Sequence, residues 1–197
     1  MRKFLSQPQE KQNKIVTAAM TVFGEVGYKK AYISEIAAEA GISKALIFHY
    51  FGSKKGLYSY LVYYTGKIVM TEAQEKKDTQ GKDFFDRAET ITRFRLSIKE
   101  RYPAMSDFMD SVFGEDDEDV AEDTARLLAI AQDMHAKVTL EPGEESMFGS
   151  GVSPAHIVNL VSTFIEGVMH TRSNESNIDE VMKEVTDCFE MLRRLSK

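Results

Sequence analysis

The residues best placed to do chemistry in this chain are Lys44, His49 and Lys54. They lie in the stretch ISEIAAEAGISKALIFHYFGSK, positions 33–54. The pattern around them predicts a short helix over 33–40, a tight turn at Gly41 and a second helix over 43–50, with Ser53 opening a third. Lysine and histidine on the second helix, and a lysine at the start of the next, suit one task. They put a helix into a DNA groove and clamp its edges to phosphates.

The neighbouring residues supply the frame. Ile36 and Ala40 lie one helical turn apart, Ile42, Ile47 and Phe51 are their apolar partners, and the small Ala37 lets two helices cross closely. Gly41 permits the positive φ of a sharp interhelical turn. Ser43 is an N-cap that accepts from a free amide of the second helix. With Ile47 and Phe51 inward, Lys44, Ala45, Leu46 and Phe48 or His49 face outward. The same helix–glycine–helix pattern also makes ordinary αα-corners, so its surroundings decide. Residues 1–67 hold ten Lys/Arg against four Asp/Glu, a net of +6, whereas the remaining 130 hold 15 against 27, a net of −12. A basic reader on an acidic body explains how a chain of net charge −6 can bind DNA, and by which end.

The rest of the 197-residue chain reads as helix. Ile15, Val16, Ala19, Val22 and Phe23 form a stripe over 9–25 that Gly27 ends. Leu57, Tyr60, Leu61, Tyr64 and Ile68 form another after Ser53. The polar stretch 71–82 reads as a loop or frayed helix end. Further helices are predicted over 83–100, 103–113 and 118–138, a loop over 141–153, and helices over 154–172 and 178–195, with Pro103 and Pro154 at helix starts. No apolar run approaches the roughly 20 residues of a membrane span. The N-terminus has no apolar leader core, and the single Cys188 excludes an internal disulfide framework. The expected compartment is the cytoplasm.

Residues 14–57 resemble the DNA-binding domain of TetR-family transcriptional regulators. The resemblance rests on Ile15, Ala18-Ala19 and Phe23; Gly27-Tyr28; Ile36-Ala37; Ala40-Gly41-Ile42-Ser43-Lys44; His49-Tyr50-Phe51; and Ser53-Lys54. It implies an all-α protein with about nine helices. Residues 1–52 would form a helix-turn-helix domain, and residues 53–197 an effector-binding and dimerisation body. The DNA-binding residues it implies are Ser34, Ser43, Lys44, Ala45, Leu46, Phe48, His49, Tyr50 and Lys54, with Tyr50 and Lys54 on phosphates. The departures are specific. Tyr32 replaces a capping Thr, so Ser34 could cap instead, or the helix could start differently. Ala45-Leu46 replaces Gly-Thr, Phe48 replaces Tyr, and Gly56 replaces the acid that closes a capping box. These changes fall on the base-reading face and leave the operator sequence open.

The last two predicted helices carry stripes wide enough for a core and a partner together: Ile157, Leu160, Val161, Phe164, Ile165 and Val168, then Ile178, Val181, Met182, Val185, Phe189, Leu192 and Leu195. By resemblance they pair with their copies in a homodimer through residues 154–195. A two-fold dimer also reads two half-sites where one short helix would bind weakly. Phe94, Tyr102, Phe108, Met109, Phe113, Met134 and Phe164, with Arg93, Arg126, His135 and His170 as polar groups, could line an effector pocket, although such residues more often serve core or surface. The expected partners are double-stranded DNA, a second copy and a small-molecule effector, with no membrane, cofactor, metal or catalytic residue. The acidic run 115–119 lacks the spacing of a calcium loop and reads as a solvated loop feeding acids into a helix N-terminus. Gly149-x-Gly151 follows no strand, the histidines lack metal-ligand spacing, and Cys188 reads as inert core. The expected function is a homodimeric repressor released from a palindromic operator by a small molecule. The alternatives are a DNA-binding protein of this fold whose body binds a protein, and an all-helical enzyme.

Overall fold

The computed structural model describes residues 1–75, 83–136, 138–149, 151–171 and 177–195. Among these the chain forms ten α-helices and no strand. They are α1 (Arg2–Leu5), α2 (Gln9–Lys30), α3 (Ile33–Glu39), α4 (Lys44–Phe51), α5 (Lys54–Glu75), α6 (Phe84–Arg101), α7 (Pro103–Phe113), α8 (Ala121–Ala136), α9 (Pro154–Thr171) and α10 (Ile178–Leu195). Two 3-10 turns, Glu118–Val120 and Glu144–Met147, complete the set. The sequence-predicted helices are all present. α1 is an addition, and the predicted helix over 118–138 opens as a 3-10 turn before becoming α8. The expected joint at 71–82 is helical up to Glu75, and its remainder lies outside the described residues.

One compact unit comprises Met1–Gln74 and Tyr102–Ala131. Its core is built from fully buried Phe4, Ile15, Phe23, Ile36, Ile47, Leu57, Leu61 and Phe108. Each such side chain contributes about 2 kcal/mol on leaving water. α2 is the central element, packed against α3 and most extensively against α7. Its regular path breaks at Gly27 (φ 74°), as the sequence predicts, and a short turn then carries Tyr28 into the core.

The second unit comprises Glu75–Arg101 and Gln132–Lys197. Here α6, α9 and α10 close on Phe84, Phe85, Val161, Ile165, Val185 and Phe189. The stretch between α8 and the 3-10 turn Glu144–Met147 is fastened from inside. Arg87, 5% exposed, donates to both carboxylate oxygens of Glu144 (3.0 and 2.6 Å) and to the Thr139 carbonyl (2.9 Å). The same hydrogen bonds hold the Glu144 carboxyl below its ordinary range and raise the Arg87 guanidinium. The wide stripes of α9 and α10 divide between core and surface. Ile157, Val161, Ile165 and Val168 face the core, as do Val181, Met182, Val185, Phe189 and Leu192, while Leu160, Met191 and Leu195 stay half or more exposed.

Candidate nucleic-acid interface

α3 and α4 meet at Gly41, whose φ of 67° supplies the turn; a side chain there would meet nothing, so backbone conformation is what calls for glycine. At the start of α3 the expected cap is replaced. The Glu35 carboxylate accepts from the Tyr32 N–H at 3.4 Å, while Ser34 stands exposed within the first helical turn. The cap thus comes from an acid three residues into the helix, which the dipole also favours.

At the start of α4, Ser43 Oγ accepts from the Leu46 N–H at 3.3 Å. Ile47 and Phe51 are buried, and Lys44, Ala45, Phe48 and His49 form the exposed side, with Leu46 half-buried. Spacing of one, three and four residues puts these groups on one face. The Lys44 ammonium lies 5.9 Å from the centroid of the Phe48 ring, so the ring lost as a hydroxyl donor steadies the cation. Tyr50 is placed differently from its expected contact with phosphate. It is 4% exposed, its ring packs 5.7 Å from that of Phe4, and the Lys11 ammonium lies 5.7 Å from its centroid.

α5 begins with Ser53 Oγ accepting from the Gly56 N–H at 2.9 Å. A Cβ at position 56 would lie 2.1 Å from the Phe51 carbonyl oxygen, so the turn from α4 into α5 leaves no room for the acid that would close a capping box. Half-buried Lys54 is held from two sides. Its ammonium donates to the Lys29 carbonyl at 3.2 Å and lies 4.5 Å from the Tyr28 ring centroid.

Tyr28 is the hub behind that lysine. Its N–H donates to Glu115 Oε2 at 2.7 Å and its hydroxyl to Asp119 Oδ2 at 2.5 Å. Burial and the Asp119 carboxylate push the hydroxyl well above the ordinary tyrosine range, so it stays a neutral donor, and its hydrogen bond lowers the Asp119 carboxyl. Asp119 also pairs with Lys55 at 3.5 Å, and Ser59 Oγ donates to Asp123 at 2.5 Å. Asp116 and Glu118 of the acidic run are exposed, and acids stand in the first turns of the 3-10 turn and of α8, as expected. In addition Glu115 and Asp119 tie the segment preceding α8 to the end of α2 and the start of α5, and Asp123 of α8 adds a tie to α5. Sequence spacing could not show this, because Tyr28 and Asp119 meet only through the α2–α7 packing.

The residues considered for a pocket scatter. Phe94 and Phe108 are buried core, Phe113 is 42% exposed, and Arg93 and Arg126 pair on the surface with Asp179 and Glu122. His170 is exposed, and the side chains of Met134 and His135 lie outside the described residues. Among the described residues no cluster of His, Cys, Asp and Glu could hold a metal, and no helix is long and apolar enough to cross a membrane.

Residues 15–61 match the family model for bacterial regulatory proteins of the tetR family. The HTH-type transcriptional regulator BetI of Vibrio vulnificus is 43% identical over 53 residues, 27% of this chain and 27% of the relative. BetI of Serratia proteamaculans is 35% identical over 82 residues, 40% and 41% of the two chains. The match thus spans less than half the length of these curated relatives. A TetR family transcriptional regulator from Chloroflexus aurantiacus shares the fold, with a TM-score of 0.67, 15% identity, and coverage of 98% of this chain and 96% of that one. Through its residues 15–61, this chain is similar to the tetR family of bacterial regulatory proteins.

Proposed function

We propose that the protein is a homodimeric, cytoplasmic, non-enzymatic repressor that binds a palindromic operator and is released by a small molecule. The observation that carries this reading is the exposed face of α4, where Lys44, Ala45, Phe48 and His49 stand clear of a core that holds Ile47 and Phe51. Residues 1–52 act as the reader and residues 53–197 as the effector-binding and dimerisation body. Lys44 reaches guanine or phosphate, Leu46 and Ala45 meet thymine methyl groups, and His49, Ser34 and Ser43 lie along the phosphate edge. Lys54 holds a phosphate at the start of α5. Tyr50 enters the contact set as the buried support of this face.

Release follows from a shift of α5, which is covalently the next element after the reader. The ties Tyr28–Asp119, Tyr28–Glu115 and Ser59–Asp123 supply the linkage, since any displacement of the segment around the α8 start pulls on the end of α2 and the beginning of α5. The effector must bind the DNA-incompetent state better, and equal effector affinity for free and DNA-bound protein would refute the release step. The decisive experiment is selection of duplexes from a random pool by the purified chain. A palindrome with half-sites about one helical turn apart, or a multiple of it, is the expected product; an asymmetric site, or no enrichment, overturns the reading.

A further inference from the structure

Tyr50 owes its burial to α1. Phe4 of that helix is fully buried, with its ring 5.7 Å from Tyr50, 4.7 Å from Phe51 and 5.3 Å from Tyr60. A four-residue helix has almost no stability of its own, so this anchor, together with the Met1 ammonium that donates to the Tyr50 carbonyl at 2.8 Å, holds it against the end of α4. The link to α2 is tied as well. The Gln12 side-chain amide donates to the carbonyls of Leu5 (3.2 Å) and Gln7 (2.8 Å), and the Lys3 carbonyl accepts from Ser6 Oγ (3.0 Å) and Gln7 Nε2 (3.1 Å). Residues 1–12 therefore form an ordered strap across the α4 end.

The strap is basic. Residues 1–14 contain Arg2, Lys3, Lys11 and Lys14 against Glu10 alone, and Lys14 pairs with Glu10 at 3.0 Å. Lys11 is engaged by Gln7 and the Tyr50 ring. Arg2 and Lys3 are exposed. The element that removes Tyr50 from the surface thus brings two cations to the end of the same helix on a backbone that is already ordered.

We propose that α1 is a second phosphate-binding element, in which Arg2 and Lys3 hold the sugar-phosphate backbone of DNA flanking the bases faced by α4. This rests on the DNA-binding reading above and adds to it a contact outside the helix-turn-helix. Backbone contacts of this kind add affinity and salt dependence without sequence preference.

The test uses the full chain and the duplex recovered by selection. Binding is followed by fluorescence anisotropy across a salt series, with hydroxyl-radical footprints of the same complexes. For the double variant Arg2→Gln/Lys3→Gln the salt slope should fall by roughly two units, and affinity should drop about tenfold near physiological salt with base preference unchanged. Protection of the outermost backbone positions should disappear. Phe4→Ala, checked for helicity by circular dichroism, keeps both charges but releases the strap and should lose the same protection. A double variant with wild-type slope and footprint overturns the proposal, as does a folded Phe4→Ala that binds like wild type. If those variants bind normally while Lys44→Ala is impaired, the strap inference alone fails. If the wild-type chain enriches no duplex, the regulator reading fails and takes this one with it.

Discussion

A side chain that is to grip phosphate must be positioned and must keep charge to spare; Lys54 is positioned, and the exposed Asp119 carboxylate feels its charge from nearby. A carbonyl and an aromatic face steady its ammonium, and neither carries a full negative charge. Replacing Lys54 with alanine should weaken binding to all duplexes alike and reduce the salt slope by about one unit, measured by anisotropy at several salt concentrations. A slope equal to wild type would take Lys54 off the interface. The exposed face of α4 was legible from residue types, because apolar spacing alone dictates which side of a short helix turns inward. Tyr50 was not: its burial depends on Phe4, a residue far away in sequence that the local pattern does not include. Ser34 was misread as a possible cap because the competing acceptor, Glu35, becomes visible only once the helix start is known.

At the level of elements, the joints are where chemistry and geometry meet. The α4–α5 turn is closed so tightly that position 56 has no space for a Cβ. Gly56→Ala should therefore destabilise the protein by about 1–3 kcal/mol, seen as a lower denaturation midpoint, although alanine is the better helix former. An unchanged midpoint would mean that the turn can open at no cost. Helix boundaries elsewhere were readable because proline, serine and glycine punctuate them by fixed backbone preferences. α1 escaped because a helix of one turn carries no periodicity to detect. The acidic segment before α8 escaped for another reason. Its charges look alike in sequence, and only packing assigns Glu115 to a backbone amide and Asp119 to a tyrosine hydroxyl, as it assigns Asp123 of α8 to a serine.

For the whole molecule, the proposed partners divide between the basic end, for DNA, and the exposed apolar residues of α9 and α10, for a second copy along residues 154–195. If the homodimer forms there, Leu160→Glu with Met191→Glu should yield a monomer in sedimentation. Both side chains are already half buried in the protomer, so each loses burial of about 1 kcal/mol, doubled by two-fold symmetry, and affinity for a palindromic duplex should collapse. A dimer that survives both changes would move the interface elsewhere. By itself the sequence determined the helical class, the helix-turn-helix and its outward face, since these follow from spacing, caps and charge within some twenty residues. The tertiary structure alone decided that Tyr50 is buried, that α1 packs its Phe4 against the end of α4 and that Glu115 and Asp119 are bonded to Tyr28. Each of these depends on side chains distant in sequence that come together only when α1, α2, α5 and the segment leading into α8 are packed.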